Sequence, residues 1–408
     1  MAARAKLGGC MVAVVSVLVF SAATAAGQTK KPIKFMKLTD LTGPASAQVG
    51  PMGWAAEDYI NWLNKKEGGI DGHPVELELI DTKYDLTLIR SAYARFKGMK
   101  QATLNLDSLS GGIEALRQQY DKDKIPVMME TGHGPALYPA AWTFGLMPPY
   151  DDVLCAFADW IKRQWKEARK PRVALFLGDY ASGRSPQLAK WYCEKVGVEV
   201  VAEEICPLRP TDTSDLLIRI RDAKPDYIFD TLMPDQAKVV LRDKQKLDIK
   251  IPQINFVFNS DLIAKTVPPE AYEGYMGFEA ISAWWVKDVP GVQLSYKLYE
   301  KRGEVPPYAY IGGVGGTMIW IEAVKNALRK VGYEKLDGPA IFDGYVAIKG
   351  LSCMGIFKEI DYTKGDRRGN KWLRISKLNK DGSVLAISEW MEAPWNLKLK
   401  QEAQKETK

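Results

Sequence analysis

Five short polar segments stand where the chain could act on a small molecule, each directly after an apolar run typical of a β-strand. They cover residues 107–112, 130–134, 179–183, 233–235 and 259–261. Their serine, threonine and glycine residues offer hydroxyl and backbone N–H groups that can hold a carboxylate. Serine and aspartate are also common helix caps, so one such segment is ordinary. Several segments at corresponding strand ends favour a ligand site.

Other kinds of chemistry lack the residues they need. The only histidines are His73 and His133, and the five cysteines form no C-x-x-C pair, which excludes multi-histidine metal sites and thiolate clusters. The glycine-rich run 312–316 lacks the preceding strand and later acidic residue of a dinucleotide site. Asp151 and Asp152 suit an exposed helix start. We therefore predict no catalytic residue, no metal and no cofactor, and the protein is not expected to be an enzyme.

Composition and charge place the chain among ordinary globular proteins. It has 408 residues, of which 46% are hydrophobic, and its 56 Lys and Arg against 50 Asp and Glu give a net charge of +6. The length suits two domains. The charge is spread along the chain, whereas nucleic-acid binders usually carry a basic stripe or tail, so we predict no nucleic-acid partner.

The first 25 residues are typical of a secretory signal peptide. Arg4 and Lys6 precede an apolar stretch at 11–20, and Ala23-Thr24-Ala25 follows as a cleavage site. The apolar stretch is about half the length that spans a bilayer as a helix. Cleavage would leave four cysteines in an oxidising compartment, either paired or as buried thiols. They are Cys155, Cys193, Cys206 and Cys353.

Strand-like and helix-like patterns alternate along the rest of the chain, which predicts parallel sheets covered by helices on both faces. A first series contains strands at 33–38, 75–81, 103–106 and 125–129, with helices at 51–65, 86–97 and 112–122. A second series contains helices at 152–166, 185–197, 213–223 and 234–245, with strands at 172–177, 198–206, 227–231 and 253–258. A long helix is predicted at 306–330, short strands with tight turns between 354 and 390, and a disordered polar tail at 396–408.

The order of several motifs resembles a known family. Leu41-Thr42-Gly43-Pro44 follows the first strand, the first helix ends in a Gly-Gly-Ile-Asp-Gly run at 68–72, and residues 81–85 close the second strand. With Asp366-Arg367-Arg368-Gly369 near the end, this order resembles the extracytoplasmic solute-binding proteins of branched-chain amino-acid ABC transporters, the type I periplasmic binding proteins. The resemblance covers nearly all of residues 31–392.

The resemblance implies an α/β fold of two doubly wound parallel-sheet lobes joined by three crossovers, with the ligand enclosed between them by hinge closure. It implies lobe one at 31–145 plus 282–350, lobe two at 146–281 plus 351–393, and crossovers near 144–150, 277–285 and 351–356. The implied partners are a small ligand bearing a carboxylate and an inner-membrane ABC permease. The implied location is the periplasm, and the implied state is a monomer.

In lobe one, the resemblance carries ligand contacts over to three positions. Ser110 matches the family serine whose hydroxyl and N–H hold the ligand carboxylate. Thr131 matches a residue that offers its main-chain carbonyl to the ligand ammonium. His133 stands where the family usually has threonine or serine, and it could add a donor or a positive charge.

In lobe two, the matching positions depart further from the family. Tyr180 and Ser182 lie in a turn that commonly carries an aromatic residue, although the usual tyrosine before glycine is Ser182 here. Leu232 and Asn259 fall near the usual tyrosine and acidic positions. Trp284, at the second crossover, could line a flat aromatic pocket or serve in packing.

These departures leave the ligand open. A buried ammonium needs an acidic partner, and Asn259 carries no charge, although Asp261 or Glu279 could supply one. The resemblance implies uptake of a branched-chain amino acid, and the departures leave an aromatic or aliphatic carboxylate, an amide or urea as the alternative. A secreted enzyme and a sensory receptor domain are further alternatives of a different class.

Overall fold

The computed structural model describes residues 30–107, 110–257 and 260–406. The predicted signal peptide and Asn259 lie outside these residues.

Lobe one is built on a five-stranded parallel sheet with the order β2-β1-β3-β4-β5. Its strands are β1 (Ile33–Thr39), β2 (Val75–Asp81), β3 (Ala102–Leu106), β4 (Val127–Met129) and β5 (Thr143–Gly145), and its first helices are α1 (Ser46–Glu67), α2 (Leu86–Phe96), α3 (Ser110–Asp123) and α4 (Gly134–Leu137). Residues of β1 alternate between two buried clusters, with Phe35 on one face and Met36 on the other. Both faces of the sheet are therefore covered, as expected for parallel strands.

Lobe two is built on a second sheet, in which β6 to β10 are parallel and the C-terminal strands antiparallel. Its strands are β6 (Arg172–Gly178), β7 (Glu199–Cys206), β8 (Tyr227–Asp230), β9 (Gln253–Asn255), β10 (Met276–Glu279), β11 (Trp372–Leu378), β12 (Val384–Ala386) and β13 (Met391–Glu392). Its helices are α5 (Tyr150–Gln164), α6 (Ala181–Arg184), α7 (Lys190–Val196), α8 (Ser214–Asp222), α9 (Pro234–Lys246), α10 (Ser260–Thr266) and α11 (Pro269–Tyr272). The predicted α/β fold of two lobes is confirmed. The second sheet is mixed, because β11 runs antiparallel to β10, and the predicted turn at 379–382 joins β11 to β12.

The chain returns to lobe one after β10 with three helices, α12 (Pro290–Tyr299), α13 (Tyr308–Val331) and α14 (Gly338–Val346). The third crossover differs from the expected position at 351–356, because Ile356 and Phe357 are buried in the core of lobe one. The backbone instead meets the first crossover further along, where Gly145 N donates to Arg367 O at 2.8 Å. Apart from this change, the exact lobe boundaries remain a proposal.

The glycine-rich run 312–316 lies inside α13, where it serves packing. A Cβ added to Gly313 would stand 2.7 Å from the Cα of Met52 on α1, which is too close for any other residue. Glycine here lets the two longest helices of lobe one approach closely.

The C-terminal tail differs from the expectation of disorder, since Asn396–Glu406 forms helix α15. Its first residue is buried and bonded to Asp151 and Asp152, which are themselves buried rather than exposed as predicted. These bonds hold the start of an otherwise polar segment against the protein. Within the described residues, no helix combines the length and apolar character needed to cross a membrane.

Candidate functional site

A cavity lies between the two lobes, beside the first crossover. About 40 Å³ of it is accessible to the centre of a water molecule, against the roughly 10–15 Å³ that one water needs. Most of its wall is apolar, with polar groups contributed mainly from lobe one. The wall consists of Gln48, Met52, Glu130 and Thr131 of lobe one, Met147, Pro148 and Tyr150 at the first crossover, and Val153, Phe256, Val257, Phe278, Ala280 and Leu373 beyond it.

Glu130 belongs to a buried charge cluster at the carboxyl ends of the lobe-one strands. Lys37 Nζ, on β1, lies 2.6 Å from Asp107 Oδ1 and 2.5 Å from Glu130 Oε1, and all three side chains are fully buried. Glu130 Oε2 has no hydrogen-bond partner among the described residues. One cation therefore serves two carboxylates, and each carboxylate keeps one oxygen without a hydrogen bond among the described residues, Asp107 Oδ2 and Glu130 Oε2.

Burial and the neighbouring Asp107 both raise the pKa of Glu130, whereas Lys37 opposes them. The pKa of Lys37 is itself raised, because its two carboxylate partners outweigh the effect of burial. Lys37 therefore stays protonated, and Glu130 is the member of the cluster that can take up a proton near neutral pH.

The two lobes meet directly at the strand tips, so the structure is a closed conformation. Ser182 N, on α6, donates to Ser110 Oγ at the start of α3 over 3.0 Å. Tyr150, whose ring lines the cavity, has its hydroxyl next to the Ser182 side chain. Ser182 Oγ is buried beside this hydroxyl. The two serines thus meet between the lobes, with Ser182 next to Tyr150, and neither serine is itself part of the cavity wall.

Of the predicted lobe-one residues, the structure brings Ser110 and Thr131 to the interlobe space but not His133. Thr131 lines the cavity, and its Oγ1 finds no partner within the described ranges. His133 is buried against α3, with Nε2 3.6 Å from Glu114 Oε2, and it is not part of the cavity wall. Burial lowers the pKa of His133, which favours the neutral imidazole over the positive charge considered from sequence.

Of the predicted lobe-two residues that the structure describes, which leaves out Asn259, Ser182 is the one that bonds to lobe one. Tyr180 donates its hydroxyl to Thr231 O at 2.6 Å, so this group is used inside lobe two. Leu232 is fully buried in the lobe-two core. Trp284 packs edge-to-face on Trp285, at 4.4 Å between ring centroids, against the core of lobe one and away from the cavity.

The two acidic residues considered as ammonium partners are held elsewhere. Glu279 Oε2 accepts from Arg374 Nη2 at 2.8 Å. Asp261 Oδ2 accepts from Tyr308 N at 3.3 Å, at the start of α13, and burial raises the pKa of Asp261 to about 6. Neither residue lines the cavity.

Sequence reasoning missed Glu130 as the acidic group of the site. It lies in the polar segment 130–134, one residue before Thr131, and Lys37 between the apolar residues Met36 and Leu38 of the first strand was the second sign. A buried lysine requires a carboxylate partner. Lys37 therefore carried a signal that pointed to acidic residues at the ends of adjacent strands.

Two further observations concern acidic, histidine and cysteine side chains. Within the described residues, no three His, Cys, Asp or Glu side chains are grouped to hold a metal ion. The alternative of buried thiols applies to the four cysteines from Cys155 to Cys353, which are free and buried.

Known proteins share this arrangement of two α/β lobes with a cavity between them. The family model described as "Periplasmic binding protein" matches residues 32–383. This chain belongs to the periplasmic binding protein family. The search of curated proteins returns no match.

Several solved structures share the fold of this periplasmic binding protein. A branched chain amino acid ABC transporter protein from Thermus thermophilus, solved with bound valine, is 20% identical with a TM-score of 0.80, over 91% of this chain and 99% of that one. A fatty acid ABC transporter substrate-binding protein from Thermomonospora curvata is 18% identical with a TM-score of 0.78, over 91% and 95%. A solute binding protein from Rhodopseudomonas palustris BisB5, in complex with 3,4-dihydroxy benzoic acid, is 19% identical with a TM-score of 0.72, over 89% and 98%.

Proposed function

We propose that this protein is the substrate-binding component of an ABC importer that captures a small aliphatic amino acid between its lobes and delivers it to a membrane permease. The observation that carries the proposal is Glu130, a buried carboxylate in the wall of a mostly apolar cavity, with one oxygen unpartnered among the described residues. The family membership and the valine-bound protein of the same fold support the same role.

The ammonium of the amino acid binds Glu130 Oε2. Lys37, Asp107 and Glu130 sum to −1 when all are ionised, and an uncompensated buried charge is costly. A ligand ammonium brings the sum to zero. Thr131 Oγ1 supplies a second acceptor for it in the same wall.

The carboxylate of the amino acid binds the serines at the strand tips. Ser110 Oγ accepts the Ser182 N–H, so its own proton remains available to donate. Ser182 Oγ can accept from the neighbouring Tyr150 hydroxyl and then also keeps a proton to donate. Hydrogen bonds from both lobes to one ligand exist only in the closed conformation, so binding favours closure.

The aliphatic side chain contacts the apolar wall. Met52 and Val153 face the cavity from the two lobes, and Tyr150 packs at a tilt against Phe256 with ring centroids 4.0 Å apart. Apolar walls with few polar groups are typical of small-molecule sites. The small volume favours a compact side chain over a long acyl chain.

A second candidate is a carboxylic acid without an amine. Its support is the raised pKa of Glu130, because a protonated carboxyl can donate to a ligand carboxylate. One protein of the same fold is a fatty acid ABC transporter substrate-binding protein, and another was solved in complex with 3,4-dihydroxy benzoic acid.

Three matched compounds separate these candidates in a thermal-shift experiment at pH 6 and pH 8. Valine has both charged groups, 3-methylbutanoate lacks the amine, and 2-methylpropylamine lacks the carboxylate. We expect valine alone to stabilise strongly, by about 2.7 kcal/mol at 100 times its dissociation constant. We expect tighter binding at pH 8, because Glu130 must be ionised. An equal shift with 3-methylbutanoate that grows at pH 6 would select the acid, and no shift with any of them would refute both candidates.

We further propose export to the periplasm after cleavage behind Ala25, and action as a monomer. N-terminal sequencing of the exported protein tests the cleavage. Its mass in solution tests the monomer.

A further inference from the structure

The C-terminal helix α15 lies across the junction of the two lobes. It contacts α4 of lobe one and both α5 and α7 of lobe two. It also lies beyond residue 383, where the match to the family model ends. We propose that α15 is a strap that stabilises the closed conformation and so sets how readily the lobes separate.

One end of the strap is fixed to lobe two by a fully buried asparagine. Asn396 N donates to Asp152 Oδ1 at 2.8 Å, and Asn396 Nδ2 donates to Asp151 Oδ2 at 3.0 Å. Asn396 Oδ1 accepts from Trp191 Nε1 at 2.8 Å. The two carboxylates begin α5 and the indole belongs to α7, so the strap begins on a rigid part of lobe two.

The residue before the strap is fixed at the third crossover. The Arg368 guanidinium lies 4.4 Å from the centre of the Trp395 ring. Arg368 Nη1 also donates to Asp152 Oδ2 at 2.8 Å. Trp395 is thus held where the chain passes between the lobes.

The strap reaches lobe one through Tyr138, which directly follows α4. The Tyr138 ring packs edge-to-face on Trp395 with centroids 5.4 Å apart, and its hydroxyl donates to Gln401 Oε1 on the strap. Leu397 faces the groove between Pro135 of lobe one and Leu188 of lobe two. The strap therefore bonds to lobe one through side chains that its lobe-two anchor does not use.

Opening of the hinge must separate Tyr138 from a strap that stays on lobe two. Contacts that exist only in the closed conformation favour that conformation. An aromatic pair of this kind changes an equilibrium by roughly 2- to 12-fold. The strap thus raises the ratio of closed to open protein before any ligand binds, and ligand contacts raise the same ratio further.

The test measures the distance between the lobes of the mature 26–408 protein, without added ligand, by pulsed electron spin resonance. Nitroxides are placed at Thr87→Cys on lobe one and Arg209→Cys on lobe two, both exposed positions. The described native cysteines are buried and do not compete for the label. Tyr138→Ala removes the ring and the hydroxyl, Gln401→Ala removes one hydrogen bond from an exposed strap position, and Lys405→Ala is the matched control on the same helix.

We expect Tyr138→Ala to raise the ratio of long to short distances by roughly 2- to 12-fold. Gln401→Ala should change it less in the same direction, and Lys405→Ala should leave it unchanged. The proposal is overturned if Tyr138→Ala and Gln401→Ala keep the parent distribution while circular dichroism shows both folded. A shift with Lys405→Ala as large as that with Tyr138→Ala also overturns it. Because no ligand is used, failure here is independent of the proposed amino-acid specificity.

Discussion

The substitution Glu130→Gln tests the centre of the proposed site. It keeps the shape of the side chain and an oxygen for Lys37, but it removes the negative charge that a ligand ammonium requires. Loss of a charge-assisted hydrogen bond costs about 1.5–3 kcal/mol, which corresponds to roughly 12- to 150-fold weaker binding. Isothermal calorimetry at pH 8, with the amino acid that gives the largest thermal shift, measures this change.

The same substitution should act in the opposite direction on stability. Glutamine leaves Lys37 with Asp107 as its single carboxylate partner at 2.6 Å, so the buried charges balance. We therefore expect the free energy of unfolding of Glu130→Gln at pH 8 to equal or exceed that of the parent protein. Weaker binding combined with equal or higher stability separates loss of the ligand's partner from general damage.

Glu279→Gln is the matched control, because Glu279 is also a buried carboxylate with one oxygen unpaired among the described residues. Its other oxygen serves Arg374, and it does not line the cavity. We expect Glu279→Gln to lower stability and leave the dissociation constant within about two-fold of the parent value. The reasoning is wrong if Glu130→Gln binds as tightly as the parent, or if Glu279→Gln loses affinity as severely.

Three further predictions follow from other contacts. Ser110→Ala should weaken binding by roughly 1.5–3 kcal/mol through loss of a donor to the ligand carboxylate; unchanged affinity in calorimetry would make this serine a link between lobes only. Burial raises the pKa of Asp261 to about 6 from its ordinary 3.8. Between these two values the folded protein holds a proton that the unfolded chain releases. The free energy of unfolding should therefore fall by about 3 kcal/mol as pH rises from about 4 to 7. Urea unfolding of the parent and Asp261→Asn across this range checks it, since an equally steep dependence in both would exclude Asp261 as the cause. Gly313→Ala should lower the free energy of unfolding by about 1–3 kcal/mol in the same assay, because its Cβ would meet the Met52 backbone at 2.7 Å. Gly365→Ala is the control, because nothing lies within 4 Å of the added Cβ, and its free energy of unfolding should stay within about 0.5 kcal/mol of the parent value.

The alternation of strand-like and helix-like patterns predicted the order of the main strands and helices, because short apolar runs and the helical spacing of apolar residues differ clearly along the sequence. The third crossover was misplaced for a physical reason. Ile356 and Phe357 follow no periodic element, so only their packing into lobe one shows where the chain leaves it. The disordered tail was wrong because the polar composition of α15 hides one buried residue, Asn396, whose partners are some 200 residues or more away in sequence.

The candidate site was predicted less completely than the fold. Ser110, Thr131 and Ser182 follow strands at corresponding sheet ends, and topology alone brings such positions to one cleft. Tyr180 has the right place in the chain, but the direction of its hydroxyl depends on Thr231, which sequence spacing cannot show. His133 faces α3 and Trp284 packs on Trp285, because side-chain direction in irregular segments is set by packing rather than by period. Asn259 stays a prediction.

The four buried thiols divide between the lobes, with Cys353 in the core of lobe one and Cys155, Cys193 and Cys206 in lobe two. Burial raises the pKa of each, so each stays a poorly reactive thiol while its core is intact. A thiol reagent can reach one only when that core opens. The rate of modification at each cysteine therefore reports how often the core around it opens. Mass spectrometry can measure these rates for each lobe separately, without any engineered probe.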